Sequence, residues 1–221
     1  MVLYSFPGGR CSVIDPRATG EDLTAKARIR NAALDLFADR GEERVSLRAV
    51  AAAAGVTVGL VQHHFKTKEG LRAAVEQLVV DYFAHAVAQA PGDGTAAQIA
   101  AARDEAVRRM LETHPPVVNY VRRVILDPAR GDGQLIERLT DLARREIVKL
   151  RDSGVASTAP SESTQVIRVM VRQLGQLLLQ PMVDTMWQEL HDRGASGDSK
   201  PVLSVTIGQP GELSEDSQSG H

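Results

Sequence analysis

Apolar residues at helical spacing, cut repeatedly by glycine and proline, constrain this chain more than any other feature. Ile29, Ala32, Ala33, Leu36 and Phe37 fall at i, i+3, i+4, i+7 and i+8, the stripe that an amphipathic helix buries. Gly41 follows as a stop. Leu47, Val50, Ala51 and Ala54 repeat the spacing over a shorter stretch, with Ser46 placed as its N-cap and Gly55 as its break. Thr57 can cap a further short helix, from about Thr57 to His64, and Val61 and Phe65, four apart, then face the same core.

Longer segments come next. Helices are predicted over Lys68–Ala90, ended by Pro91–Gly94, and over Ala96–Thr113, stopped by Pro115 and Pro116. A shorter one is predicted over Val117–Asp127, and another, marked by Leu135, Leu139, Leu142 and Leu150, up to Asp152. After a Ser- and Ala-rich loop, Val166, Met170, Leu174, Leu177 and Leu178 mark a last helical region, which Pro181 should kink or split because it lacks an N–H and crowds the preceding turn. The sequence "VLSVTI" is strand-like but has no second strand to pair with, so an unpaired segment is expected. The fold class is therefore all-α: three short helices, then about six longer ones. A small helix-turn-helix module over residues 21–67 is expected on a larger helical body over residues 68–193, with a flexible arm over 1–20 and a flexible tail over 194–221.

Composition narrows the classes. The chain of 221 residues carries a single cysteine, Cys11, which rules out a disulfide framework or a thiolate metal site within one chain. The net charge of −2 excludes a protein that is basic all over, yet a local basic patch suffices for nucleic acid. No apolar run has the length to cross a bilayer, and the first residues lack a basic segment followed by an apolar core, so a cytoplasmic location is expected.

The stretch "SLRAVAAAAGVTVGLVQHHFKTKEGL", Ser46 to Leu71, concentrates two short helices and a cluster of donors. A metal site fits poorly, because adjacent His63 and His64 point about 100° apart on a helix, and the helical zinc motif needs i, i+4 spacing. A phosphate loop fails on composition: no Gly-Lys-Ser/Thr follows the glycines and no strand precedes them. Two helices joined at Gly55 form a helix-turn-helix, whose second helix can enter a major groove. Thr57, Val58, Leu60, Gln62, His63 and His64 are then left outside. Val58 or Leu60 suits a thymine methyl. Gly59 weakens the helix by about 1 kcal/mol relative to Ala, but it lets the backbone approach DNA. Lys68 can reach a phosphate. No nucleophile–base pair, carboxylate pair or cofactor loop is visible, so no catalytic residue, cofactor or metal is expected.

These residues resemble the N-terminal pattern of the TetR family of transcriptional regulators. "AALDLFADRG" at Ala32–Gly41 and the stretch from Ser46 match it in the order and spacing of Phe37, Gly41, Ala54, Gly55, Val56, Gly59, His64, Phe65, Lys68 and Leu71. The resemblance covers about Thr24 to Leu71. It implies a phosphate contact for Ser46, a base contact for Arg48, groove-facing roles for Thr57, Val58, Leu60 and His63, and backbone contacts for His64 and Lys68. The family usually has Tyr where this chain has Gln62. A glutamine can donate to phosphate or pair with adenine N6/N7.

The resemblance also implies an effector and dimerisation domain in the helical body. A two-fold homodimer would use the last two helices, Ser161–Gln180 and Met182–His191, with Val166, Leu174, Leu177 and Leu178 as the apolar stripe. Tyr82, Met110, Tyr120, Met170 and Gln173 are the expected lining of a largely apolar effector pocket. The expected function is a sequence-specific regulator, a repressor released from a palindromic operator by a small molecule. The alternatives are an effector-independent architectural DNA-binding protein and a helical ligand-binding protein without a DNA role.

Overall fold

Local capping chemistry sets most helix boundaries. The chain, seen in a computed structural model, is described over residues 24–126, 134–192, 199–201, 203 and 205–207. Among these residues the elements are α1 (Ala25–Arg40), a 3-10 turn (Glu42–Arg44), α2 (Leu47–Ala54), α3 (Val58–Phe65), α4 (Lys68–Gln89), α5 (Ala96–Thr113), α6 (Pro115–Leu126), α7 (Gln134–Asp152) and α8 (Glu162–Asp192). The expected arm over 1–20 and most of the expected tail from Gly194 lie outside the described residues.

Thr24, Ser46, Thr57, Thr67 and Thr95 each accept a hydrogen bond from the backbone N–H three residues on, which satisfies a donor the first turn leaves free. Thr95 and Gln98 form a reciprocal capping box at the start of α5. Pro115 and Pro116 open α6, where a fixed φ and a missing N–H do no harm.

One apolar cluster runs from the N-terminal module into the body. Ile29, Phe37, Val50, Val61 and Phe65 supply its first part; Leu71, Val75, Leu78 and Tyr82 on α4 continue it. Val117 and Val121 on α6 and Leu135 and Leu139 on α7 complete it. Phe37 is 1% exposed, so its truncation to Ala should destabilise the chain by about 3–5 kcal/mol.

The module and the body also meet through polar contacts. Arg123 on α6 donates from Nε to the Ala38 carbonyl (2.8 Å) and from Nη2 to the Asp39 carbonyl (2.6 Å). These oxygens belong to the last turn of α1, which lacks helical donors and favours a cation.

Two expectations are corrected. Pro181 does not split the terminal helix: α8 runs unbroken from Glu162 to Asp192 with Pro181 inside it. The long helices therefore number five among the described residues, not about six. The physical reason is specific. Proline removes the donor that would reach the carbonyl four residues back, here Leu177. Arg122 replaces that donor, with Nε and Nη2 at 3.1 and 2.9 Å from the Leu177 oxygen.

The described residues of "VLSVTI" are neither helix nor strand, and they lie along α8. Leu203 N–H donates to Gln180 Oε1, and Gln176 Nε2 donates to the Leu203 carbonyl, both at 3.1 Å. Val205 packs over Gly175 so closely that a Cβ there would sit 2.8 Å from its methyl.

Candidate nucleic-acid interface

α2 ends in a paired turn that sets the course of α3. Gly55 adopts the left-handed conformation, φ 65° and ψ 39°. Its N–H donates to the Ala52 carbonyl and that of Val56 to the Ala51 carbonyl, the bond pattern of a Schellman cap. Thr57 then caps α3, accepting from Leu60 N–H at 3.3 Å.

α3 sorts its side chains by face. Val61 is fully buried and Phe65 is 7% exposed, and both join the core. Thr57, Gly59, Gln62 and His63 are exposed; Val58, Leu60 and His64 are half-buried. On the neighbouring elements Ser46 and Arg48 are exposed and Lys68 is half-buried. The structure thus gathers all ten expected DNA-contacting residues on α2, α3 and the start of α4. The Gln62 carbonyl accepts from Lys66 N–H at 2.9 Å, while its exposed side-chain amide makes no hydrogen bond among the described residues and is open to an outside group.

Two hydroxyls serve twice. Ser46 Oγ accepts from Ala49 N–H (3.1 Å) and Thr57 Oγ1 from Leu60 N–H, so each O–H still has a proton to donate outward. The His63 and His64 rings meet edge to face with centroids 5.3 Å apart. Among the described residues no group of three His, Cys, Asp or Glu side chains has metal-binding geometry.

The junction between α3 and α4 is tighter than the sequence suggested. Lys66 has φ 64° and ψ −60°, and Thr67 N–H donates back to the Phe65 carbonyl at 2.7 Å, which makes a strained γ-turn. A Cβ on Gly70 would lie 2.2 Å from the same Phe65 oxygen. Lys66 and Gly70 were missed by periodicity arguments, because neither sits on an apolar stripe. The acidic neighbour, Glu69, is held below the usual carboxylate range by its own backbone N–H and the Thr67 hydroxyl. Its charge sits beside Lys68 at the α4 N-terminus.

Two of the expected effector residues, Tyr120 and Gln173, border different clefts. Tyr82, Met110 and Tyr120 are buried in the continuous core, and Met170 packs against it. Tyr120 also borders a cleft of about 770 Å³ between α1, α4, α6 and α7. Gln173 lines a different cleft, of about 950 Å³, between α5, α6 and α8, and its Nε2 donates to Asp104 Oδ1 at 2.5 Å. Tyr82, Met110 and Met170 thus contribute to packing, while the cleft that Gln173 reaches combines apolar wall from Leu111, Val118, Leu177 and Pro181 with amide and charged side chains.

The residues expected on the dimer stripe differ in exposure from the rest of α8. Val166 and Leu177 are 5% and 7% exposed against their own chain. Leu174 and Leu178 pack against the core as well. The outward apolar residues of α8 are Ile167, Leu179, Met182, Met186 and Leu190.

A family profile described as "Bacterial regulatory proteins, tetR family" matches residues 29–75. The HTH-type transcriptional regulatory protein RaaS of Mycobacterium tuberculosis (strain ATCC 25618 / H37Rv) is 35% identical over 134 residues, 61% of this chain and 58% of that protein. The chain therefore matches under two thirds of that relative's length. A crystal structure of a tetR-family protein from Shewanella sp. PV-4 is 25% identical with a TM-score of 0.55, covering 78% of this chain and 94% of that one. A tetR-family transcriptional regulator from Streptomyces coelicolor shares the fold at 24% identity and a TM-score of 0.55, over 70% of this chain and 69% of that one.

Proposed function

We propose that the chain, whose residues 29–75 match the profile of the tetR family of bacterial regulatory proteins, is a sequence-specific DNA-binding repressor, released from its operator by a small molecule. The observation that carries this is the division of α3: Val61 and Phe65 fix it to the core while Thr57, Gly59, Gln62 and His63 face outward. A helix held this way can present base-reading groups to a major groove.

Affinity would come chiefly from phosphate contacts by Ser46, His64 and Lys68. Sequence choice would come from Arg48, Thr57, Val58, Leu60, Gln62 and His63, with Gly59 allowing close approach. Two copies would pair through the exposed α8 stripe, which aligns their two reading helices on a palindrome. The effector would act by favouring a conformer that places those helices wrongly. Arg123 is the natural coupling point, since it ties α6 of the body to the end of α1 in the module.

The test is a gel shift of the purified full chain on DNA from upstream of its own gene, with scrambled DNA of equal length as competitor. Selective retention of the upstream fragment is expected. Equal retention of both would favour an architectural protein, and retention of neither a ligand-binding protein without a DNA role.

A further inference from the structure

The cleft between α5, α6 and α8 holds an uneven set of charges. Four carboxylates line it, and each has a cationic partner. Asp104 meets Arg172 at 3.0 Å, Glu105 meets Arg108 at 2.6 Å, Glu112 also meets Arg108, and Asp184 meets Lys200 at 2.7 Å. Hydrogen bonds from Arg108 and Lys200 hold Glu105 and Asp184 below the usual carboxylate range, so these pairs stay charged and mutually occupied.

Arg122 lines the same cleft and is different. Its only partner among the described residues is a neutral backbone oxygen, that of Leu177, which takes Nε and Nη2. Nη1 makes no hydrogen bond there. A guanidinium has five N–H donors in a planar fork and cannot lose its charge, so Arg122 is an under-used cation. Beside it Leu111, Val118, Leu177 and Pro181 supply apolar wall.

We propose that this cleft binds a monocarboxylate with an apolar body, its carboxylate on Arg122 and its body against Val118 and Pro181. The proposal rests on the reading of the chain as an effector-controlled regulator, and it names the effector's chemical class. Two parallel N–H···O bonds from a guanidinium fork match a carboxylate in shape and charge. A volume of about 950 Å³ suits a drug-sized molecule. Gln173 already serves Asp104, and Tyr120 is 4% exposed within the core. Engagement of Arg122 would also compete with the Leu177 carbonyl, the rung of α8 that Pro181 leaves without a helical donor.

The experiment measures binding of octanoate, 4-phenylbutyrate and 2-naphthoate to the full-length protein by calorimetry. Each acid is compared with its primary amide, which keeps the shape and removes the charge. At least one acid should bind tenfold or more tighter than its amide, and Arg122→Gln should erase that difference while circular dichroism shows the helices retained. Because the acid–amide comparison uses the unaltered protein, it stands even if Arg122→Gln unfolds. Equal affinity for acid and amide, or no binding by any of the three acids, would overturn the proposal, as would a preference that survives Arg122→Gln. The gel shift runs in parallel: selective DNA binding without acid binding sinks the ligand class alone, and absence of DNA binding sinks the regulator reading itself.

Discussion

Gly70 lies against Phe65 so closely that a methyl group at its Cα would come within 2.2 Å of the Phe65 carbonyl oxygen. That oxygen also accepts from Thr67 N–H at 2.7 Å, so α3 is clamped to the start of α4 through one backbone group. Gly70→Ala must push the two helices apart. A loss of about 1–3 kcal/mol is expected, as for an overpacked site, together with weaker operator binding. Chemical denaturation of the variant checks the first effect and fluorescence anisotropy the second.

Gly59 should behave oppositely. A Cβ there would have its nearest neighbour, Thr57 Oγ1, at 4.0 Å, so nothing in the protein resists it. Gly59→Ala should stabilise α3 by about 1 kcal/mol through helix propensity alone. On DNA the added methyl faces the groove and should lower affinity. A rise in Tm with a fall in operator affinity separates a functional glycine from a packing accident, for which affinity would be unchanged.

Arg123→Ala should loosen the module from the body. Two bonds to the Ala38 and Asp39 carbonyls disappear, a loss of about 1–3 kcal/mol for a charged donor set at a partly solvated site. Hydrogen exchange should speed up selectively in the last turn of α1. In an operator assay the variant should respond less to effector, because the lever that transmits its binding is detached.

Much of this was legible in the sequence because it is local. Stripes such as Ile29–Phe37 report burial directly, and Ser46, Gly55 and Thr57 state their cap roles by residue type. The outward face of α3 follows once Val61 and Phe65 turn inward. What was not legible depends on partners far along the chain. Pro181 reads as a helix breaker until Arg122, 55 residues before Leu177, supplies the missing donor. Apolar spacing on α8 does not tell its buried residues, Val166 and Leu177, from its exposed ones, Ile167, Met182 and Leu190, because the helix is long enough to carry apolar residues on both faces. The Met and Tyr residues on the body helices were equally ambiguous, since a core and a pocket lining share that composition.

Dimer formation should depend on the exposed residues of α8. Met182→Glu or Leu190→Lys should yield monomers at micromolar concentration with helicity retained, since these side chains are 55% and 58% exposed. Leu177→Glu, in contrast, should destabilise the protein as a whole, because it places a charge in the core. Sedimentation velocity paired with circular dichroism distinguishes the two outcomes. Dimers that persist in both Met182→Glu and Leu190→Lys would move the interface elsewhere.

The most direct test of DNA recognition by α2 and α3 compares Arg48→Ala and Lys68→Ala on the selected operator and on a full set of its single-base variants, across a salt series. Arg48→Ala should lose about 1–3 kcal/mol of discrimination at one base pair in each half-site. Lys68→Ala should weaken every sequence alike and reduce the magnitude of the salt slope by about 1. If both variants keep the wild-type base preferences and the wild-type salt slope, α2 and the start of α4 do not hold this chain on DNA.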